Sequence, residues 1–156
     1  MDHRANSREK ITPPSPLPHV SRRALRRVKD PVAPPTECRY CQSHVALVPN
    51  SAVYGREYGD WPFVYLCTGC SAYVGLHPDT DIPLGTLADS ELRTARKRAK
   101  GKFIGLSKRL RLSRDEAYAW LAEAMNIPAS QCHFGFFDIE QCGLAYTACQ
   151  QRIQAQ

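Results

Sequence analysis

Cys38-Arg39-Tyr40-Cys41 is answered by Cys67-Thr68-Gly69-Cys70, with residues 42–66 between the two halves. A C-x-x-C stretch bends the backbone so that both thiols reach one point, and two such stretches supply the thiolates of a closed tetrahedral zinc site. The spacing predicts one structural Zn2+ held by Cys38, Cys41, Cys67 and Cys70. It suits a pair of β-hairpins with one knuckle at each end, the zinc-ribbon arrangement, rather than a short finger. A tetrathiolate cage leaves no coordination position for substrate or water, so such a metal would hold the fold together and perform no chemistry.

Outward from the first knuckle, Val45-Ala46-Leu47-Val48 reads as a strand, Pro49-Asn50 as a turn and Ser51 to Tyr54 as the returning partner. Trp61 to Leu66 reads as the strand that delivers the second knuckle, and Ala72 to Leu76 as the strand that leaves it. Six aromatics fall on this small sheet: Tyr54, Tyr58, Trp61, Phe63, Tyr65 and Tyr73. They could stack unpaired bases, but a ribbon has almost no core of its own and needs large side chains to cover it, which favours packing. His77, Asp79 and Asp81 lie in a Pro-rich loop, where turn chemistry explains them better than a hard-metal or nuclease site.

Toward the N-terminus, Pro13, Pro14, Pro16, Pro18, Pro31, Pro34 and Pro35 interrupt residues 1–35. That segment reads as a disordered basic tail, with a transient helix at Ser21 to Lys29. Toward the C-terminus, Thr86 or Asp89 caps a helix running to about Leu110, with Leu92, Ala95, Ala99, Phe103, Leu106 and Leu110 inward and Gly101 and Gly105 placed to bend it or end it early. Ser113 and Glu116 form a capping box for a helix from Arg114 to Met125 that buries Ala117, Trp120, Leu121 and Ala124. Asn126 stops it. Pro128 to Phe134 has the rhythm of a recognition helix, against which stand Gly135, the lack of Lys or Arg from 128 to 141, and the charges of Asp138 and Glu140. Asp138 caps a last helix to about Arg152, with Ile139, Cys142, Tyr146, Cys149 and Ile153 inward. Cys142 and Cys149 are therefore expected in the core, although Cys132, His133, Cys142 and Cys149 also leave a second metal site conceivable.

The formal charge is +6, from 21 Lys and Arg against 15 Asp and Glu, and it is clustered: eight cations precede residue 36 and ten lie between Arg93 and Arg114. Such blocks favour an anionic partner, above all nucleic acid, while the plainer reading is a solvated helix face and a soluble tail. No apolar run follows the basic start, and nothing approaches the ~18 apolar residues of a membrane span. Seven cysteines without a secretory signal point to reduced thiols in a cytoplasm.

Together the paired knuckles, Val53-Tyr54-Gly55, Tyr73-Val74-Gly75, Pro83-Leu84-Gly85-Thr86-Leu87-Ala88 and Ala117-Tyr118-Ala119-Trp120-Leu121-Ala122 resemble a family of small zinc-finger-containing proteins of phages and prophages. The resemblance covers about residues 38–146 and leaves the basic tail outside. It implies one zinc on Cys38, Cys41, Cys67 and Cys70, an accessory role, and no named substrate. Where a His is expected in the middle helix of that family this chain has Lys100, which argues against a metal or catalytic role there.

The expectation is thus an α+β protein: tail 1–35, zinc ribbon 36–84, and a region 85–156 of about three helices packed on the ribbon. No nucleophile, base and stabiliser occur as a set, so the expected function is non-enzymatic binding of nucleic acid. Arg93, Arg96, Lys97, Arg98, Lys100, Lys102, Lys108, Arg109 and Arg111 are the candidate phosphate-facing residues. The alternative is an adaptor or inhibitor that binds a host protein. Neither a membrane nor a small-molecule substrate is expected.

Overall fold

The second knuckle sits where two strands meet, and the sheet is built around it. In a computed structural model that describes all 156 residues, β1 (Val45–Pro49), β2 (Phe63–Cys67) and β3 (Tyr73–Gly75) form an antiparallel sheet in the order β1-β2-β3. Val45 pairs with Cys67 and Tyr65 with Val74, so the register places a ligand cysteine at the end of the β1–β2 ladder. Tyr65, Cys67, Val45, Val74, Leu76 and Leu87 share one apolar cluster with Cys38, and Trp61 and Phe63 pack against it. The sheet aromatics mostly serve packing here. Trp61 Nε1 donates to the Thr80 carbonyl at 2.9 Å, and the Tyr65 hydroxyl donates to the Asp81 carbonyl.

The returning strand expected at Ser51 to Tyr54 is instead a helical turn, α2 (Ser51–Tyr54). Asn50 decides this. It is buried, its side-chain amide exchanges two 3.0 Å hydrogen bonds with the Tyr58 backbone, and its carbonyl accepts from Val53 and Tyr54. Gly55 then ends the turn at φ 78°, a left-handed conformation. β1 therefore pairs directly with β2 across a long connection.

The largest correction concerns residues 1–35, which are ordered. Asp2 caps a 3-10 turn at His3–Ala5, and Ser21 caps a short helix, α1 (Arg22–Arg27). Ala5, Leu25 and Val28 bury themselves with Ile82, and Leu17 joins the sheet cluster. The Arg4 guanidinium donates to both carboxylate oxygens of Asp81 at 2.9 and 2.7 Å and to Asp2 at 2.8 Å. His19 Nε2 lies 2.9 Å from Asp79, and the Ser21 amide donates to the Asp79 carbonyl. The loop 77–83 is thus the anchor of the N-terminal segment, which the prolines stiffen without preventing burial.

The chain divides into two units, Met1–Asp89 and Ser90–Gln156. In the second, α3 (Ser90–Arg109), α4 (Arg114–Met125) and α5 (Ile139–Gln154) pack on one another. The helix α3 runs unbroken through Gly101 and Gly105, contrary to the expected bend; it buries Leu92, Arg96, Ala99, Phe103 and Leu106 at steps of four and three. The expected capping box forms at Ser113 with Glu116, the expected cap Asp138 forms a second box with Gln141, and Asn126 ends α4 in the left-handed region. The inward stripe of α5 is Cys142, Ala145 and Cys149, whereas Ile139 is exposed. On α4 it is Ala122, not Ala124, that is buried. No recognition helix occupies Pro128 to Phe134: two 3-10 turns, Ala129–Gln131 and Phe134–Phe136, replace it, and Phe134 and Phe137 enter the core. Phe103, Tyr118 and Phe134 close that core with ring centroids 4.8 to 6.2 Å apart. No helix is long and apolar enough to cross a membrane.

Candidate metal centre

The two knuckles repeat one local geometry. The Cys38 amide donates to the Ser43 carbonyl, and the Gln42 amide to the Cys38 carbonyl, both at 2.9 Å. The same offsets recur 29 residues on, since the Cys67 amide donates to Ala72 at 2.8 Å and the Ser71 amide to Cys67 at 3.3 Å. Each turn is closed by the residue after its second cysteine, Gln42 at φ 61° and Ser71 at φ 66°. Amides inside the turns point at sulfur: Tyr40 N is 3.3 Å from Cys38 Sγ, and Gly69 N and Cys70 N are 3.3 and 3.4 Å from Cys67 Sγ. Such contacts spread the charge of a metal-bound thiolate. Thr68 ties the halves together, its amide and hydroxyl both donating to the His44 carbonyl at 2.9 and 2.8 Å.

All four sulfurs lie within 4.8 Å of one another, with Cys38 and Cys70 3.6 Å apart and Cys41 and Cys67 3.4 Å apart. A tetrahedron of ~2.3 Å zinc–sulfur bonds has edges of about 3.8 Å, so the cage is the right size for zinc. Cys38 and Cys67 are buried in the sheet cluster, while Cys41 and Cys70 face solvent. The Ser43 hydroxyl, then its amide and the Cys67 thiol, bring Cys41 down to about 6. The Ala72 amide favours a Cys70 thiolate, but desolvation within the sulfur cluster and the three neighbouring sulfurs outweigh it and push Cys70 up to about 12. Four sulfurs this close cannot all be anionic by themselves. A central dication removes that repulsion, and the donor set is that of one structural zinc.

Gly69 fits for a geometric reason. A Cβ there would stand 2.3 Å from Ser43 Oγ, 2.8 Å from Ser43 Cβ and 3.1 Å from Cys41 Sγ. The second knuckle lies against the first at this point, which only a residue without a side chain permits.

The predicted phosphate-facing residues separate into groups. Lys97, Lys100, Lys108, Arg109 and Arg111 are exposed. Arg96 is not available: it is 9% exposed, and its Nε donates to the Phe137 carbonyl at 2.9 Å, pinning the turn before α5 to α3. An arginine on the inward stripe was hidden in the sequence by the cations around it. Arg93 is half-buried, and Arg98 and Lys102 sit over the Tyr146 ring at 4.5 and 5.4 Å. Arg114, outside the predicted set, is exposed with its guanidinium 5.7 Å from the Tyr118 ring.

Asp79 and Asp81 face His19 and Arg4 and so serve the N-terminal segment. Cys132, Cys142 and Cys149 are buried, and burial pushes Cys132 and Cys149 up to about 11. The group of His, Cys, Asp or Glu side chains close enough to hold a metal is the four knuckle cysteines.

A family model for a zinc-finger-containing domain matches residues 34–152. No curated protein and no solved structure matches the chain.

Proposed function

The chain belongs to that family of zinc-finger-containing domains, and from this premise we propose that it is a non-enzymatic, zinc-stabilised protein that binds nucleic acid in a cytoplasm. The zinc holds the ribbon, and the binding surface is the cationic face of α3. One observation carries the reading: Lys97, Lys100, Lys108, Arg109 and Arg111 are exposed on α3 and the turn after it, and Glu91 is the only carboxylate on that helix. Cations so arranged engage phosphates and set position without reading bases. Arg23, Arg26, Arg27 and Lys29, exposed on and just after α1, add affinity of the same kind. An accessory protein of phage type is the biological setting that the sequence resemblance implies.

Neutralising five phosphates gives a slope of log K against log salt of about −4 to −5 on duplex DNA. Titration of random duplex and single strands at two salt concentrations measures it. Reversing charge at Lys97, Lys100 and Lys108 should abolish binding while leaving the helical circular dichroism unchanged. Unchanged affinity would show that another surface binds, and absence of binding at low salt would remove the reading.

A second reading, a protein-binding adaptor, is favoured by the ribbon side. Tyr54 and Tyr58 are 47% and 46% exposed, in edge contact at 5.2 Å, with Arg56 4.4 Å over Tyr58. Exposed aromatic and arginine side chains of this kind are frequent anchors of protein interfaces. Co-purification from the native host separates the two.

A further inference from the structure

Between α3 and the start of α4 lies an open cavity of about 580 Å³. Its floor is apolar, formed by Phe103, Ile104 and Tyr118, and Ile104 is 41% exposed although it sits in the middle of a helix. Its rim is cationic, formed by Lys100, Lys108, Arg111 and Arg114, and no carboxylate is among its lining side chains. Lys100, Ile104 and Lys108 follow one another at four-residue steps on α3, so an apolar side chain is bracketed by two cations about 12 Å apart on one helix face.

We propose that this cavity takes one unstacked base of a single-stranded nucleic acid, while the rim cations hold the phosphates on either side. The inference rests on the nucleic-acid reading above and deepens it from phosphate binding to a preference for single strands. A base has apolar faces that suit the Ile104 and Tyr118 floor, and it arrives with the negative charge that the rim attracts. In a duplex the bases are stacked and paired, so a duplex can use the rim and cannot fill the cavity. Three of the rim cations, Lys100, Lys108 and Arg111, belong to the exposed cationic face already described. The cavity is therefore continuous with the phosphate-facing surface. Discrimination among bases is not expected, because the floor offers contact area and few directed hydrogen bonds.

The test uses the full zinc-loaded chain and fluorescence anisotropy of labelled strands of about 20 nucleotides, single and duplex, with Ile104→Gln and Lys108→Gln/Arg111→Gln variants. Ile104 is exposed, so its replacement should leave the thermal melt unchanged. The expected result is single-strand affinity at least about tenfold above duplex, lost in Ile104→Gln while duplex binding stays the same. The Lys108→Gln/Arg111→Gln variant should weaken both strands and reduce the magnitude of the salt slope by about two. Equal affinity for both strands, with Ile104→Gln neutral, overturns the inference and leaves phosphate binding standing. Absence of binding to either strand at about 50 mM salt overturns both readings. Saturable binding of an acidic amphipathic peptide that Ile104→Gln removes, without strand preference, overturns it in favour of a protein occupant.

Discussion

Replacing Arg4 by Met tests whether the N-terminal segment is part of the fold. Arg4 makes a two-pronged contact with Asp81 at 2.7 and 2.9 Å, across 77 residues of sequence, and Asp81 is 8% exposed. Removing the cation leaves a nearly buried carboxylate without its ion-pair partner. Loss of one partner of a buried pair typically costs about 3–5 kcal/mol. The Arg4 side chain keeps 27% exposure, which screens the pair and lowers the expectation to about 2–4 kcal/mol. Asp81→Asn alone should destabilise as well, and the double variant should recover part of the loss, with a coupling of about 2 kcal/mol. Trp61 is the natural reporter, because its indole donates to Thr80, the neighbour of Asp81. Urea unfolding of zinc-loaded protein, followed by fluorescence with Trp120 replaced by Phe, should show Arg4→Met lowering the midpoint by about 1 M. A change below about 0.5 kcal/mol with no coupling to Asp81 would refute the clasp and return residues 1–35 to the status of a solvated tail.

Gly69→Ala should weaken zinc binding at least about tenfold in competition with a chromophoric chelator, because its Cβ forces Ser43 and Cys41 apart at a strain of about 1–3 kcal/mol. Ser43→Gly in the same chain should recover part of that affinity, and no loss in Gly69→Ala would contradict the packing of one knuckle against the other. Gly101→Ala, at an exposed mid-helix site with nothing within 4 Å of an added Cβ, should raise stability by about 0.5–1 kcal/mol in thermal melts, and destabilisation would mean that α3 is not continuous there. At pH 8 a thiol reagent should find four sulfhydryls on adding a chelator and three more only in denaturant. Cys132, Cys142 and Cys149 are buried in the helical unit, and burial raises all three above the ordinary thiol value, Cys132 and Cys149 up to about 11, so they stay protonated. Release of all seven by the chelator would tie the helical unit to the metal.

The parts legible in the sequence are those set by neighbours along the chain. Two C-x-x-C halves, the Ser113 capping box, the Asp138 cap and the Asn126 stop are local devices, and they form where their residues stand. The clasp of Arg4 on Asp81 is the opposite case: its partners are far apart, Ala5 precedes the prolines, and Leu17, Leu25 and Val28 fall between them without any period to betray a buried face. Arg96 shows the same limit on the surface side, since a charged residue among charges reads as exposed until Phe137 is seen accepting its hydrogen bond. The α2 turn was hidden by Ala52-Val53-Tyr54, which has strand propensity but follows an Asn50 whose side chain closes the loop over Tyr58. Gln42 and Ser71, which turn the knuckles, are not residue types that advertise a left-handed backbone.

The most direct measurement is metal content together with zinc-edge X-ray absorption on protein expressed and purified without added chelator. One zinc per chain with four sulfur neighbours at about 2.3 Å is the predicted result. A shell containing nitrogen or oxygen, or a chain without metal whose Cys38, Cys41, Cys67 and Cys70 are paired as disulfides, would contradict the account at its centre.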